Sequence, residues 1–206
     1  MAILSEVAKR QIDGTEEGSA SILTEIAESA RGVVDSMNDI VWAIDPRRDD
    51  LRNVVFRVRQ FASDLLGSKG IAWSLQAPAE FDKIKLNPQQ RRHIFLIFKE
   101  AINNAARHAE CKSVWLSLSI VHNQIVGEIR DDGHGMSVNS DQVASDRDGV
   151  HGLVNMRTRA AQLNGQLIVA SPSDGGTSIR IEVPLKQGIH TQPWHKYAMV
   201  RSKQIR

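Results

Sequence analysis

The sequence predicts an α+β fold: a two-layer α/β sandwich, with a mixed sheet carrying helices on one face, preceded by a helical hairpin. Three observations predict it. Apolar side chains between residues 22 and 44 recur at spacings of three and four. From residue 51 onward, helical periods alternate with short runs of two-residue period. Those segments follow the order helix, strand, helix, two strands, helix, two strands.

The hairpin comes first. Ile22, Ile26, Ala30, Val33, Met37, Ile40 and Ile44 keep near-heptad spacing, the pattern of a helix packed in a bundle or coiled coil. Asp13-Gly14-Thr15-Glu16-Glu17-Gly18 reads as the turn before it, and Ile3, Val7 and Ile12 as the end of an earlier helix. Two helices of this size cannot bury one apolar seam alone, so the seam is expected to meet a second copy of itself. Asp45-Pro46 ends the hairpin, because the residue before proline is pushed out of the helical region.

The sandwich elements follow. Leu51, Val54, Val55, Val58, Phe61, Ala62 and Leu65 give a helix over about residues 51–66, stopped by Gly67-Ser68-Lys69-Gly70. Ile71 to Leu75 alternates as a strand. Asn87-Pro88 opens a long helix with a cap residue and a first-turn proline. Ser113 to Ile120 and Gln124 to Ile129 form a hairpin around His122-Asn123. A helix over about residues 152–164 ends at Asn164-Gly165, and Leu167 to Ala170 and Thr177 to Val183 supply the last strands. Three segments result: a hairpin at residues 1–46, the sandwich at 47–186, and a basic, poorly ordered tail at 187–206.

Composition bounds the function. Of 206 residues, 41% are hydrophobic and 24% charged, a globular balance. Apolar runs fall short of the ~18–20 residues that cross a bilayer, and no signal peptide opens the chain. A lone Cys111 excludes a disulfide framework and a cysteine-built zinc site, and points to a cytoplasmic compartment. The net charge of +2 is unevenly spread: residues 1–46 carry three basic and nine acidic side chains, while the last twenty hold four cations and no acid. No basic stripe with interleaved aromatics appears, so nucleic acid is not an expected partner.

Four segments carry chemistry. On the long helix, Glu100, Asn104 and His108 stand four apart on one face. A carboxylate and a carboxamide one turn apart offer two hard oxygens, suited to a Mg2+ that keeps several waters. Arg107 and His108 add donors for phosphate oxygens. In Ile129-Arg130-Asp131-Asp132-Gly133-His134-Gly135-Met136 an acid at a strand end, able to accept an exocyclic amine, precedes two glycines that let the backbone approach a ligand. A polar loop, Ser137 to Asp148, then runs into Gly149-Val150-His151-Gly152-Leu153 at a helix N-terminus, where free N–H groups favour anions. Gly175-Gly176-Thr177-Ser178 heads the last strand. Each segment alone also suits an ordinary turn or a solvated face.

Their order and spacing are specific. From about residue 50 to 185 the chain resembles the Bergerat ATP-binding fold shared by sensor histidine kinases, gyrase-type topoisomerases, heat-shock chaperones and mismatch-repair ATPases. The resemblance implies ATP and Mg2+ as cofactors. It makes the Glu100–Asn104–His108 helix the N box, with Asn104 on the metal, and Glu100 orienting a metal-bound water or acting as base. Asp131 would hold the adenine amine, with Gly133 and Gly135 as the first glycine box. Gly149, Gly152 and Leu153 would be the second box, residues 137–151 a lid over the phosphates, and Thr177 part of the last box. Val150 departs from the pattern, standing where the second box usually has glycine.

Asp39-Ile40-Val41-Trp42-Ala43-Ile44-Asp45-Pro46, Phe98-Lys99-Glu100-Ala101 and Asn155-Met156-Arg157 resemble the nitrate-sensor and desaturase-regulator branch of histidine kinases. That implies a homodimer through the hairpin, a response-regulator receiver domain as partner, and a membrane link only through upstream segments. In that branch the first hairpin helix carries the phosphoacceptor histidine. Here all seven histidines, from His93 to His195, lie beyond residue 46. The hairpin is therefore expected to be truncated, and the chain alone is not expected to autophosphorylate. The alternatives are an ATP-sensing dimer without phosphoacceptor activity and an anti-sigma-type serine kinase.

Overall fold

The computed structural model describes residues 49–78, 84–135 and 147–185 except 174, together with scattered positions between 26 and 42. Two compact units divide the chain, residues 1–46 and 47–206. In the first, every described position is helical. Val33, Met37 and Val41, four residues apart, are exposed there, whereas Trp42 is buried. The turn at 13–18 and the helix before it lie outside the described residues.

The second unit is the sandwich. Helix α1 (Leu51–Ser68) starts where the Asp50 carboxylate accepts the Asn53 N–H at 3.0 Å. Strand β1 (Ala72–Gln76) follows, then helix α2 (Pro88–His108). The start of α2 is a reciprocal cap: Asn87 Oδ1 accepts the Gln90 N–H at 2.8 Å, and Gln90 Oε1 accepts that of Asn87 at 3.1 Å. Strands β2 (Ser113–Val121) and β3 (Gln124–Asp131) close a hairpin through His122 and Asn123, both with positive φ, as a tight two-residue turn demands. Helix α3 (Arg147–Gln162) and strands β4 (Gln166–Ala170) and β5 (Ser178–Pro184) complete the order, which is the one the sequence predicts.

The sheet order is β1-β2-β3-β5-β4, with β1 parallel to β2 and every other pair antiparallel. The parallel pair exists because α2 lies between its strands and carries the chain back across the sheet. Alternate residues of β2, β3 and β5 (Val114, Leu116, Leu118, Ile125, Ile129, Ile179, Ile181 and Val183) are buried beneath the helices. Ile94, Phe98, Ile102 and Met156 supply the helical side of this core. Phe98 packs against Gly127, where an added β-carbon would come within 2.7 Å of its ring.

One boundary differs from expectation. Helix α3 begins at Arg147, not near residue 152, so Gly149 lies within helical backbone instead of a loop. Nothing in residues 147–151 forbids helix: a glycine costs only about 1 kcal/mol there and no proline intervenes. At the other end Asn164, with φ of 54°, terminates the helix as predicted. Residues 136–146, most of the expected lid, and the 187–206 tail lie outside the described residues. Among the described residues no helix is long and apolar enough to cross a membrane.

Candidate functional site

The C-terminal half of α2 meets the ends of β3 and β5. Glu100 and Asn104 are half-buried on one face of α2, with Arg107 and His108 exposed one turn further on.

Asp131, the last residue of β3, is only 6% exposed. Its Oδ1 accepts two backbone N–H groups, from Gly133 at 3.0 Å and Thr177 at 3.1 Å. Its own N–H donates to the Thr177 carbonyl at 3.0 Å. Among the described residues both bonds to the carboxylate fall on one oxygen, Oδ1. Thr177 itself is buried at the head of β5.

The glycines are required by close contacts. A β-carbon on Gly133 would lie 2.0 Å from the Ala109 carbonyl oxygen, and one on Gly176 would lie 1.9 Å from that of Asp131. Gly135 and Gly176 have φ of 75° and 79°, which L side chains rarely adopt, and Gly135 approaches the Gly176 carbonyl. The first glycine segment therefore wraps around the end of α2 and touches the head of β5. Gly152, on α3, is buried against Glu100: a β-carbon there would stand 2.3 Å from Oε1. Leu153 beside it is half-buried.

The structure thus brings Asp131, Gly133, Gly135 and Thr177 together through direct contacts, and separately joins Glu100 to Gly152. Gly149 lies on the first turns of α3. Arg107, exposed near the end of α2, has no hydrogen bond to either group among the described residues. A concavity of about 480 Å³ on the sheet, lined by Ser74, Trp115, Glu128 and Arg130 among others, includes none of these residues.

Three further residues shape the site without a role foreseen from the sequence. Asp132 Oδ1 accepts the Lys112 and Ser113 N–H groups, each at 2.8 Å, stapling the loop to the start of β2. Its modest burial would raise the carboxyl, but these donors outweigh it and hold the group below the usual carboxylate range. The ring nitrogens of His134 lie 2.6 Å from the His108 carbonyl oxygen and 2.8 Å from that of Gly135, bridging the end of α2 to the glycine loop. Cys111 is buried, its thiol directed at the Ala105 carbonyl. Burial first, then the charges of Asp131 and Asp132, push that thiol up. The Asp132 partners and the His108 partner of His134 lie 19 to 26 residues away, so no local pattern announces them.

Hard oxygens from Glu100 and Asn104, one turn apart on a half-buried face, fit a small divalent cation that completes its shell with water and phosphate oxygens. No group of three or more His, Cys, Asp or Glu side chains among the described residues forms an all-protein metal cage. The donor set therefore suits a cation that arrives with an anionic ligand.

Comparison with known proteins places this geometry among relatives. Residues 89–187 match the family described as histidine kinase-, DNA gyrase B-, and HSP90-like ATPase. An uncharacterized sensor-like histidine kinase of Chloroflexus aurantiacus is 23% identical over 190 residues, covering 90% of this chain and 32% of that protein. The signal transduction histidine-protein kinase/phosphatase UhpB of Salmonella typhimurium is 27% identical over 160 residues, covering 77% of this chain and 30% of that protein. The chain spans about a third of the length of these curated relatives. The solved histidine kinase AdeS of Acinetobacter baumannii shares the fold with a TM-score of 0.62 at 19% identity, over 90% of this chain and 95% of that one.

Proposed function

We propose that this chain, whose residues 89–187 match the family described as histidine kinase-, DNA gyrase B-, and HSP90-like ATPase, is the ATP-binding catalytic portion of a two-component sensor histidine kinase. In this proposal the domain binds Mg·ATP, and the parent moves the γ-phosphoryl to a histidine and then to an aspartate on a response-regulator receiver domain. The cytoplasm is the compartment where ATP and that partner meet.

One observation carries the nucleotide reading. Asp131 is a buried carboxylate whose Oδ1 is held by two backbone N–H groups, which fixes the remaining oxygen to accept the exocyclic amine of adenine. The glycines around it let the segment pack closely on the end of α2 and the head of β5. Asn104 and Glu100 would hold Mg2+ at the phosphates, where the cation neutralises charge on the transferring group. Arg107 and His108, exposed at the helix end, would donate to phosphate oxygens. Gly149, Gly152 and Leu153 would place the start of α3 against Glu100 and present helix N–H groups to the phosphates.

The acceptor is not among residues 1–45, which contain no histidine. The hairpin seam, of which Val33 and Met37 are exposed, is proposed to pair two copies. The same lack of histidine favours a second reading, an ATP-binding regulatory dimer without phosphoacceptor activity.

Calorimetric titration with ATP and adenosine, with and without Mg2+, tests the site. Adenosine should bind without metal, and ATP should bind tighter with it. Incubation with γ-labelled ATP separates the two readings. No acid-labile label is expected on this chain alone, whereas a longer partner bearing an upstream histidine and Asp131→Asn should become labelled by it. A partner that stays unlabelled in a heterodimer would favour the regulatory module.

A further inference from the structure

A helix leaves the carbonyls of its last turn without intrahelical partners, and those of α2 are met from several segments. Lys69 Nζ donates to the Ala106 carbonyl at 2.7 Å, and the Cys111 thiol to that of Ala105 at 3.6 Å. The first glycine segment supplies His134 twice. Its N–H donates to the Ala109 carbonyl at 3.1 Å, and its Nε2 stands 2.6 Å from the His108 carbonyl oxygen. Nδ1, on the other side of the ring, stands 2.8 Å from the Gly135 carbonyl oxygen. Both ring nitrogens therefore face acceptors. A neutral imidazole has one N–H and sets a lone pair against the second carbonyl, whereas an imidazolium donates to both. The dipole of a 21-residue helix also favours a cation at its C-terminus.

We propose that His134 is a positioning residue of the adenine site and a proton-dependent clamp. As imidazolium it ties Gly135 to the end of α2, and on losing a proton it gives up one of the two carbonyls. This rests on the reading of Asp131 as the adenine acceptor, three residues earlier on the same segment, with its Oδ1 on the Gly133 N–H. The surrounding fixed charges balance. Arg107, Glu110 and Lys112 stand between α2 and β2, Lys69 follows α1, and Asp131 and Asp132 precede His134, three basic and three acidic groups. The described part of the β4–β5 connection adds none. Backbone donors hold Asp132 ionised and burial keeps the Cys111 thiol protonated, so neither changes charge near neutrality. His108, exposed on α2, is the other histidine to separate from His134 in a test.

Adenosine, which has no phosphate to titrate, would be bound to the full chain by calorimetry from about pH 5.5 to about pH 8, where histidine ordinarily changes charge. Affinity should fall by about two- to tenfold as pH rises, the scale of one net hydrogen bond. His134→Gln cannot take up a proton and should lose that slope; His108 is present in both proteins, so the difference belongs to His134. His134→Arg, charged throughout, should also bind without the slope and serves if His134→Gln fails to fold. By NMR, the Gly133 and Gly135 amide signals should follow the same titration curve as the His134 ring, and that transition should vanish in the variants. Binding with an equal slope in wild type and folded variants, or glycine amides that ignore the ring, would overturn the clamp alone. Adenosine that binds the wild type at no pH would overturn the adenine reading and this role with it.

Discussion

Asp131 and Thr177 exchange two hydrogen bonds: the Asp131 carboxylate accepts the Thr177 N–H at 3.1 Å, and the Asp131 N–H donates to the Thr177 carbonyl at 3.0 Å. This pair joins the end of β3 to the head of β5 and gives Asp131 a structural duty beside its proposed role at adenine. The two duties are separable by substitution.

Asp131→Asn keeps an oxygen for the Gly133 and Thr177 N–H groups but places an amide NH2 where the adenine amine must donate. The fold should persist, while ATP binding weakens by about 1.5–3 kcal/mol, the range for a hydrogen bond to a charged group. Asp131→Ala should lose stability as well. Calorimetry and thermal unfolding on both variants separate the effects, and full ATP affinity in Asp131→Asn would overturn the assignment.

Gly133→Ala and Gly152→Ala should diverge. The Gly133 β-carbon meets a backbone carbonyl at 2.0 Å, which cannot yield without moving the end of α2. A loss of about 1–3 kcal/mol is expected from overpacking. The Gly152 β-carbon meets the tip of the Glu100 side chain, which can rotate away. Stability there should change less, and Mg2+-dependent ATP binding more. Denaturant titration paired with calorimetry reads both, and equal destabilisation would contradict the contrast.

Asp132 should contribute to acid stability. Its folded-state carboxyl lies below the ordinary value of 3.8 because backbone donors hold its ionised form. A depressed acid stabilises the fold fully above its unfolded value and loses that contribution as pH falls through the folded one. The chain should therefore weaken on acidification from about pH 4 downward, and Asp132→Asn should flatten that part of the profile. Unfolding midpoints across pH 2–6 for both proteins check the sign.

Cys111 should be unreactive at neutral pH. Burial and two neighbouring carboxylates raise its thiol, so little thiolate is present to attack. A thiol reagent should label the native chain slowly and the denatured chain rapidly, and Asp132→Asn should change the native rate little compared with unfolding. Fast native labelling would show that the end of α2 opens readily.

Local chemistry in the sequence determined the elements. Asn87-Pro88 fixes the start of α2, His122-Asn123 the β2–β3 turn, and Asn164 the end of α3, because each acts through its own backbone or a neighbour's. The N-box face was equally legible, since residues four apart on a helix must align. Position 147 as the start of α3 was not, because a weak glycine penalty leaves the boundary to packing. Tertiary structure alone decided that Asp132 staples the loop to β2, that His134 spans α2 and the glycine segment, and that Gly152 accommodates Glu100. These relations join residues from about nineteen to fifty-two positions apart, and no period of 2 or 3.6 encodes a distance between segments that only the shared core brings together.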